Sequence, residues 1–361
     1  MERKKLPDLV IGDLRINPPI VQGGMGVRVS MSRLASAVAN EGGLGVISSA
    51  VIGGVKGFKS TEEYKKAEIA TLREEIRRAK MLSKGKGAIG VNIMCALTGY
   101  NDSVIASAEE GIDIIFSGAG LPLSLPKLVK GFKTKISPII SSGRAAEIMC
   151  KVWTTKHNYI PDAIVVEGPL AGGHLGFKFE ELEPDKMPKL EDILVSVLEV
   201  VKKYENKLGK KIPVIAAGGI YDYRDIIRML DIGADGVQIA TRFICTYECD
   251  VATEFKQAII NAKKEDIAII HSPVHLPGRA VRNKFLEKAE RREYKVRCNS
   301  LCLKGCIPSK APYCISDALV NAAKGDLENG FVFTGANAYR VNKIVSVKEL
   351  MDELTTGDDA T

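Results

Sequence analysis

A chain of 361 residues with 45% apolar and 26% charged residues has the composition of a globular protein, built as one large domain or two ordinary ones. Its net charge of +7 is dispersed over segments where basic and acidic residues alternate, as in residues 61–86 and 286–297, and no basic run is interleaved with aromatics, which excludes a nucleic-acid groove. No run approaches the ~20 apolar residues of a membrane span, and no apolar segment follows the charged N-terminus, so a cytoplasmic protein without signal peptide or membrane anchor is expected.

In chain order, residues 16–21 (INPPIV) form a short extended lead-in, because two prolines forbid helix there. The glycine-rich loop Gln22-Gly23-Gly24-Met25-Gly26 follows at once. Residues 30–41 have helical spacing and stop at Gly42-Gly43. Residues 44–49 read as a buried strand, and 61–83 as a long charged helix with Thr61 as its N-cap. Strands follow at 88–93, 113–116, 135–141, 163–166, 213–217 and 236–240. Between and after them, helices are expected at 101–110, 126–132, 143–155, 190–208, 222–231 and 249–262. From Ile270 the rhythm is lost, and residues 271–315 read as a cysteine-containing lid or insertion. Helices at 316–327 and 348–354 then return the chain to the main domain, formed by 1–270 and 316–361.

Eight strands alternating with helices between residues 16 and 240 imply a parallel sheet, and the length fits a (β/α)8 TIM barrel of roughly 250 residues. A doubly wound open sheet is the alternative. The barrel is favoured because the glycines, Asn92, Ser117, His174 and Gln238 all fall at or just past strand C-termini, which converge on one mouth in a barrel.

Three groups at that mouth carry chemistry. The ends of the seventh and eighth strands, with Gly218, Gly219, Gln238, Ala240 and Thr241, stand where barrels commonly bind phosphate, though a tight turn alone would also explain the glycines. His174 lies between Gly172-Gly173 and Gly176, one of four histidines in the chain. An imidazole near its ordinary pKa of about 6.5 is a ready general base. Backbone amides at 23–25 could face a planar ring, and Asn92 offers both a donor and an acceptor, or serves only as a strand-end turn residue.

These pieces together (PPIVQGGMG, LGVISS, GVNIM, AGGHLG, PVIAAGGI and GADGVQIATRF) give a resemblance to a known family over about residues 10–270 and part of the tail near 331–354. The chain resembles the nitronate monooxygenase (2-nitropropane dioxygenase-like) family of FMN-dependent barrels, which includes the enoyl-acyl-carrier-protein reductase II branch. The resemblance implies FMN at the barrel mouth, with Gly23, Met25, Asn92 and Ser117 near its ring or ribityl, and Glu167 and Gly172 along it. It also implies Gly218, Gly219, Gln238 and Thr241 at the phosphate, and His174 as the catalytic base. Gln22, Gly24, Gly173 and Ala240 complete the expected cofactor set. Three positions depart from the family pattern: Glu167 stands where many members have Gln, Leu170 where many have Glu, and Ala240 where Gly is frequent. A methyl at 240 is tolerable only if φ there is negative.

The resemblance implies oxidation of alkyl nitronates and nitroalkanes with O2, or NAD(P)H-driven reduction of an enoyl thioester in the reductase branch, which the tail from Thr334 to Leu350 also resembles. Either way the partner is a small molecule, and the protein is a monomer or homodimer. A flavin-binding redox regulator and a flavin-free aldolase barrel are the other readings. The last wants a lysine at a strand end for its Schiff base, and none stands there.

Cys298, Cys302, Cys306 and Cys314, spaced C-x3-C-x3-C-x7-C, lie outside the family motifs. The first three could line one helix face, and four thiols would suit zinc or an iron–sulfur cluster, but the spacing matches no common pattern, and buried structural thiols with no metal are expected. Arg291, Arg292 and Arg297 nearby would lower thiol pKa. His271 and His275 flank Pro273 and read as loop histidines at the substrate entrance rather than a metal pair.

Overall fold

The computed structural model describes residues 4–54, 57–296, 298 and 300–357. Thirteen strands occur among them: β1 (Leu9–Ile11), β2 (Leu14–Ile16), β3 (Ile20–Gln22), β4 (Leu44–Ser48), β5 (Ala88–Met94), β6 (Ile114–Gly118), β7 (Lys135–Ile140), β8 (Ile164–Glu167), β9 (Gly173–His174), β10 (Val214–Ala217), β11 (Gly236–Ile239), β12 (Ile267–His271) and β13 (Pro277–Val281). Eight of these close into a parallel barrel in the order β3-β4-β5-β6-β7-β8-β10-β11, with helices between successive strands. This is a (β/α)8 barrel.

The strands read as continuous apolar runs because both of their faces are buried, yet alternate residues go to different layers. Leu44, Val46, Ile114, Phe116, Val165 and Ile215 pack inside the barrel. Ile47, Ile115, Ile164 and Val166 face outward against the helices. The antiparallel β1–β2 hairpin closes the N-terminal end: Leu9, Ile11 and Ile16 join the inner cluster, and Leu9 reaches Gly236 at the start of β11. The sequence reading has no element there.

The long helix covers Thr61–Leu82, but its cap is Ser60, whose side chain accepts the Glu63 N–H; Thr61 is already helical. The expected helix at 249–262 is shorter, Thr253–Ile260. Buried Lys256 donates to the carbonyls of Thr246 and Cys249, so the preceding turn folds over an ammonium instead of continuing the helix. The C-terminal helix Val347–Thr356 is tied to the barrel by a buried, bidentate pair in which Arg242 donates to Glu353 at 2.7 and 2.9 Å.

The segment after residue 270, expected from sequence as a cysteine-containing lid or insertion, carries regular elements. The boundary cuts through β12, which pairs antiparallel with β13, and β13 pairs with β9, the two residues Gly173 and His174. A helix follows at Lys284–Glu290. His271, expected in a loop, ends β12 and stacks on Phe179 with ring centroids 4.0 Å apart.

Candidate active site

The C-terminal ends of all eight barrel strands open into one cavity of about 450 Å³. Its wall takes Gly23 and Gly24 after β3, Ser48 of β4, Asn92 of β5, Gly118 of β6, Ile140 of β7, Glu167 of β8, Ala217 of β10 and Gln238 of β11. Met25, Gly172, Gly173, His174, Gly218, Gly219, Ala240 and Thr241 also line it. Residues far apart in sequence thus meet around a single space, large enough for a cofactor and a small substrate.

Two of the expected residues stand behind the wall. Gln22 is fully buried, with its amide nitrogen 2.5 Å from its neighbour's carbonyl at Gly23 and its amide oxygen accepting the Val46 N–H at 3.0 Å. Gln22 therefore braces β3 against β4. Ser117 is also fully buried, donates to the Ile93 carbonyl at 2.9 Å and lies 3.0 Å from Tyr100 Oη. In this strand it is Gly118, one residue on, that reaches the cavity.

The glycines are placed by space and by backbone. A Cβ on Gly24 would lie 2.4 Å from Asn92 Cβ, and one on Gly172 would lie 2.5 Å from the Thr334 carbonyl carbon. Gly218 and Gly219 have φ of +92° and +90°, which L side chains rarely adopt. Ala240, by contrast, has φ −123°, so its methyl is accommodated without strain. Thr241 opens a single helical turn, and its hydroxyl accepts the Gly335 N–H at 2.9 Å.

His174 lies 2.7 Å through Nε2 from Ser272 Oγ, and its ring meets Phe333 edge-on at 5.2 Å. The hydroxyl can donate to Nε2 or accept from it, so either tautomer is held. Burial pushes the imidazole pKa down to about 4, well below the 6.5 expected from sequence, so the ring is neutral throughout the physiological range. Glu167 moves the other way: burial lifts its carboxyl to about 7.

The loop carrying His174 is fixed from beneath by Arg279, a residue the sequence reading passed over. It is buried, donates to the carbonyls of Pro169 and Ala171 at 2.5 and 2.6 Å, and pairs through its backbone with Gly173. Burial lowers its pKa to about 10, which leaves it charged at pH 7. The far side is closed by the segment 333–337, where Ala336 N–H donates to the Leu170 carbonyl and the Asn337 amide donates to the Gly219 carbonyl at 2.7 Å. Arg279 and Ser272 carry no local motif; they become visible only when β13 is paired with β9. The closing segment overlaps the tail whose sequence resembles the reductase branch.

The thiols also differ from expectation. Residues 300–306 are not helical, so Cys298, Cys302 and Cys306 do not share a helix face. Burial raises Cys302 to about 12 and raises Cys306 and Cys314 as well, instead of the lowering expected from nearby arginines. Arg291 faces the carboxylates of Glu287 and Glu293, and Arg297 lies outside the described residues.

Among the described residues no helix is long and apolar enough to cross a membrane. The sequence pattern of the nitronate monooxygenase family matches residues 8–357. A probable nitronate monooxygenase of Staphylococcus aureus is 27% identical over 309 residues, covering 78% of this chain and 79% of that protein. A Mycobacterium tuberculosis 5-hydroxy-7a-methyl-1-oxo-octahydro-1H-indene-4-carboxyl-CoA dehydrogenase is 29% identical, covering 76% of this chain and 66% of its own length. Among solved structures, FabK from Thermotoga maritima superposes with a TM-score of 0.71 at 26% identity, covering 93% of this chain and 91% of that one. A nitroalkane oxidase from Streptomyces ansochromogenes has the same fold, with a TM-score of 0.70 at 20% identity over 93% of this chain and 94% of that one. With a family match over nearly its whole length and the eight-stranded barrel to go with it, the chain belongs to the nitronate monooxygenase family of oxidoreductases.

Proposed function

We propose that the protein is an FMN-dependent nitronate monooxygenase, oxidising alkyl nitronates, and nitroalkanes after their deprotonation, with O2. The observation that carries this reading is a neutral histidine in the wall of the cavity that the positive-φ glycines Gly218 and Gly219 also line. The wall fits FMN. Gly23 and Gly24 offer backbone without side chains where a flat ring system needs close approach, and Gly218, Gly219 and Thr241 stand at the strand ends where barrels hold phosphate. Met25, Asn92, Gly172, Gly173, Gln238 and Ala240 would line the remainder. Bound there, FMN supplies the two-electron redox chemistry and the reaction with O2.

The chain's own part is acid–base and positional. His174 takes the α-proton of a neutral nitroalkane, a step that a preformed nitronate does not need. Its neutral state at pH 7 keeps the lone pair available, and Ser272 holds the ring in place. Arg279 fixes the backbone from Pro169 to Gly173, and with it the position of His174. The protein would work in the cytoplasm as a monomer or homodimer.

A second reading is favoured by the coenzyme A thioester named for the Mycobacterium relative and by the 26% identity to FabK: redox chemistry on an acyl or enoyl thioester with NAD(P)H. Thioesters and nitroalkanes share an acidified α-carbon, so His174 would serve both. An anaerobic spectrum of the purified protein separates them. Bleaching of the flavin bands by propyl nitronate but not by NADPH is expected; rapid bleaching by NADPH with no response to the nitronate would overturn the first reading.

A further inference from the structure

We propose that the cavity contains an apolar compartment that takes the hydrocarbon chain of the substrate, so that the preferred substrates carry several further carbons on the activated one. The inference rests on the reading that His174 meets the reacting carbon, and it names what lies beyond that carbon. Val27, Val51, Leu303, Ile315, Leu319 and Phe333 all line the cavity and all pack in one hydrophobic cluster, distinct from the inner and outer layers of the barrel. Val27 and Val51 stand on the loops after β3 and β4. Ile315 and Leu319 are four residues apart on the helix Ile315–Ala323 and share a face of it. Leu303 is held against the loop after β5: it bridges to Leu97, the Lys304 N–H donates to the Ala96 carbonyl at 2.8 Å, and the Thr98 N–H donates to the Cys302 carbonyl at 3.0 Å. Cys302 Sγ lies 3.1 Å from Ser316 Oγ, which ties this stretch to the helix. The segment read from sequence as a lid thus supplies apolar wall, through Leu303 and Ile315.

Phe333 joins the compartment to the chemistry. It bridges to Ala280 on β13, and its ring meets the His174 ring edge-on at 5.2 Å. A substrate with its activated carbon at His174 therefore has Phe333 beside it, and the cluster to which Phe333 belongs comes next along the wall. None of the six residues is in the set that fits FMN, so the cofactor does not account for them.

Charge is distributed to match. Among the described residues the acidic and basic side chains of the wall are Glu167, His174 and Arg242, from β8, β9 and the turn after β11. Arg242 is already paired with Glu353. The parts of the wall supplied by residues 25–51 and 303–333 hold no charged side chain, and their hydroxyls are those of Ser48 and Ser316. A charged or strongly hydrated tail would lose its water there with little to replace it. A hydrocarbon chain gains by leaving water.

The test measures chain length at equilibrium and in turnover. Isothermal titration calorimetry of the purified full-length protein with sodium alkanoates, from butanoate to octanoate, reads binding of a planar anionic head that the enzyme does not oxidise. Affinity should rise about four-fold per added CH2 until the compartment is full. The kcat/KM for the nitronates of nitroethane through nitrohexane should rise in step. Leu303→Asn should flatten both gradients while circular dichroism stays as in the parent, and Leu303→Trp, which fills the space, should exclude the longer chains. Leu121→Asn, in the cavity wall after β6 but outside the cluster, should keep the gradient. Equal affinity across the alkanoates, no binding of any of them, or a gradient that Leu303→Asn leaves intact would overturn the proposal. A gradient in alkanoate affinity without turnover of any nitronate would support the compartment and refute the nitronate reading; nitronate turnover with flat gradients would do the reverse.

Discussion

The cavity is closed by two walls built on opposite plans. At the ends of β10 and β11 the protein presents backbone: Gly218 and Gly219 with positive φ, then Ala240 and a single helical turn from Thr241. On the β12–β13 side it presents side chains, with His174 against Ser272 and Phe333 and Arg279 beneath. The first wall depends on where a Cβ cannot go. The second depends on which atoms a side chain carries. Substitutions that add a methyl and substitutions that remove a functional group should therefore separate the two.

The largest effect belongs to the side-chain wall. His174→Ala should lower kcat/KM for a neutral nitroalkane by about 100-fold or more, the usual worth of a positioned base. Flavin content should stay unchanged, and preformed nitronate should be largely spared because the anion has already shed its proton. If both substrates fail together while flavin is retained, the base role is wrong. Next comes the backbone wall. Gly218→Ala would put a Cβ 2.8 Å from the Gly168 carbonyl oxygen at φ +92°, a strain of about 1–3 kcal/mol. A lower urea midpoint and loss of flavin on gel filtration are expected, with both substrates affected alike.

Ser272→Ala sharpens the side-chain plan. It removes one hydrogen bond from the imidazole, worth about 1 kcal/mol, so a fall of about ten-fold or less is expected. Titration adds a further contrast, between His174 and Glu167 at the end of β8. The folded pKa of His174 lies below its unfolded value, so the unfolded chain binds the extra proton and stability falls as pH drops from 6.5 towards 4. Glu167 has the opposite sign: its folded pKa is raised, so its contribution is lost as pH climbs from 4.5 to about 7. Urea midpoints across pH should lose the first slope in His174→Ala and the second in Glu167→Gln.

The backbone wall was legible in the sequence; of the side-chain wall only His174 was, and its supports Ser272, Phe333 and Arg279 were not. Gly218-Gly219 follows an apolar run immediately, so strand, turn and glycine requirement are all local. Asn92 and His174 were legible for the same reason: each sits at or just past a strand end. Gln22 and Ser117 share that address but point elsewhere, because their orientation depends on which neighbour needs a hydrogen bond: Val46 for Gln22 and Ile93 for Ser117. Ser272 and Arg279 act on residues about a hundred positions away through a β-ladder only two residues long on the β9 side, and no periodicity marks so short a strand. The β1–β2 hairpin is a different kind of miss. Its two-residue Gly12-Asp13 turn between Leu9–Ile11 and Leu14–Ile16 is a hairpin signal that was present in the sequence.

The smallest predicted effect is at Ala240, where the family pattern favours glycine. If the backbone wall needed glycine throughout, Ala240→Gly would tighten flavin binding and stabilise the protein. The backbone here is at φ −123° and ψ −64°, a negative-φ conformation that alanine adopts, and the residue is the N-cap of the turn beginning at Thr241. Glycine would gain no freedom the fold uses and would lose more entropy on folding, a cost of roughly 0.5–1 kcal/mol. Ala240→Gly should therefore slightly lower the urea midpoint with flavin affinity changed less than about three-fold. A clear gain in affinity would mean that a bound phosphate presses on the Ala240 methyl, and that the backbone wall needs glycine at its N-cap position as well.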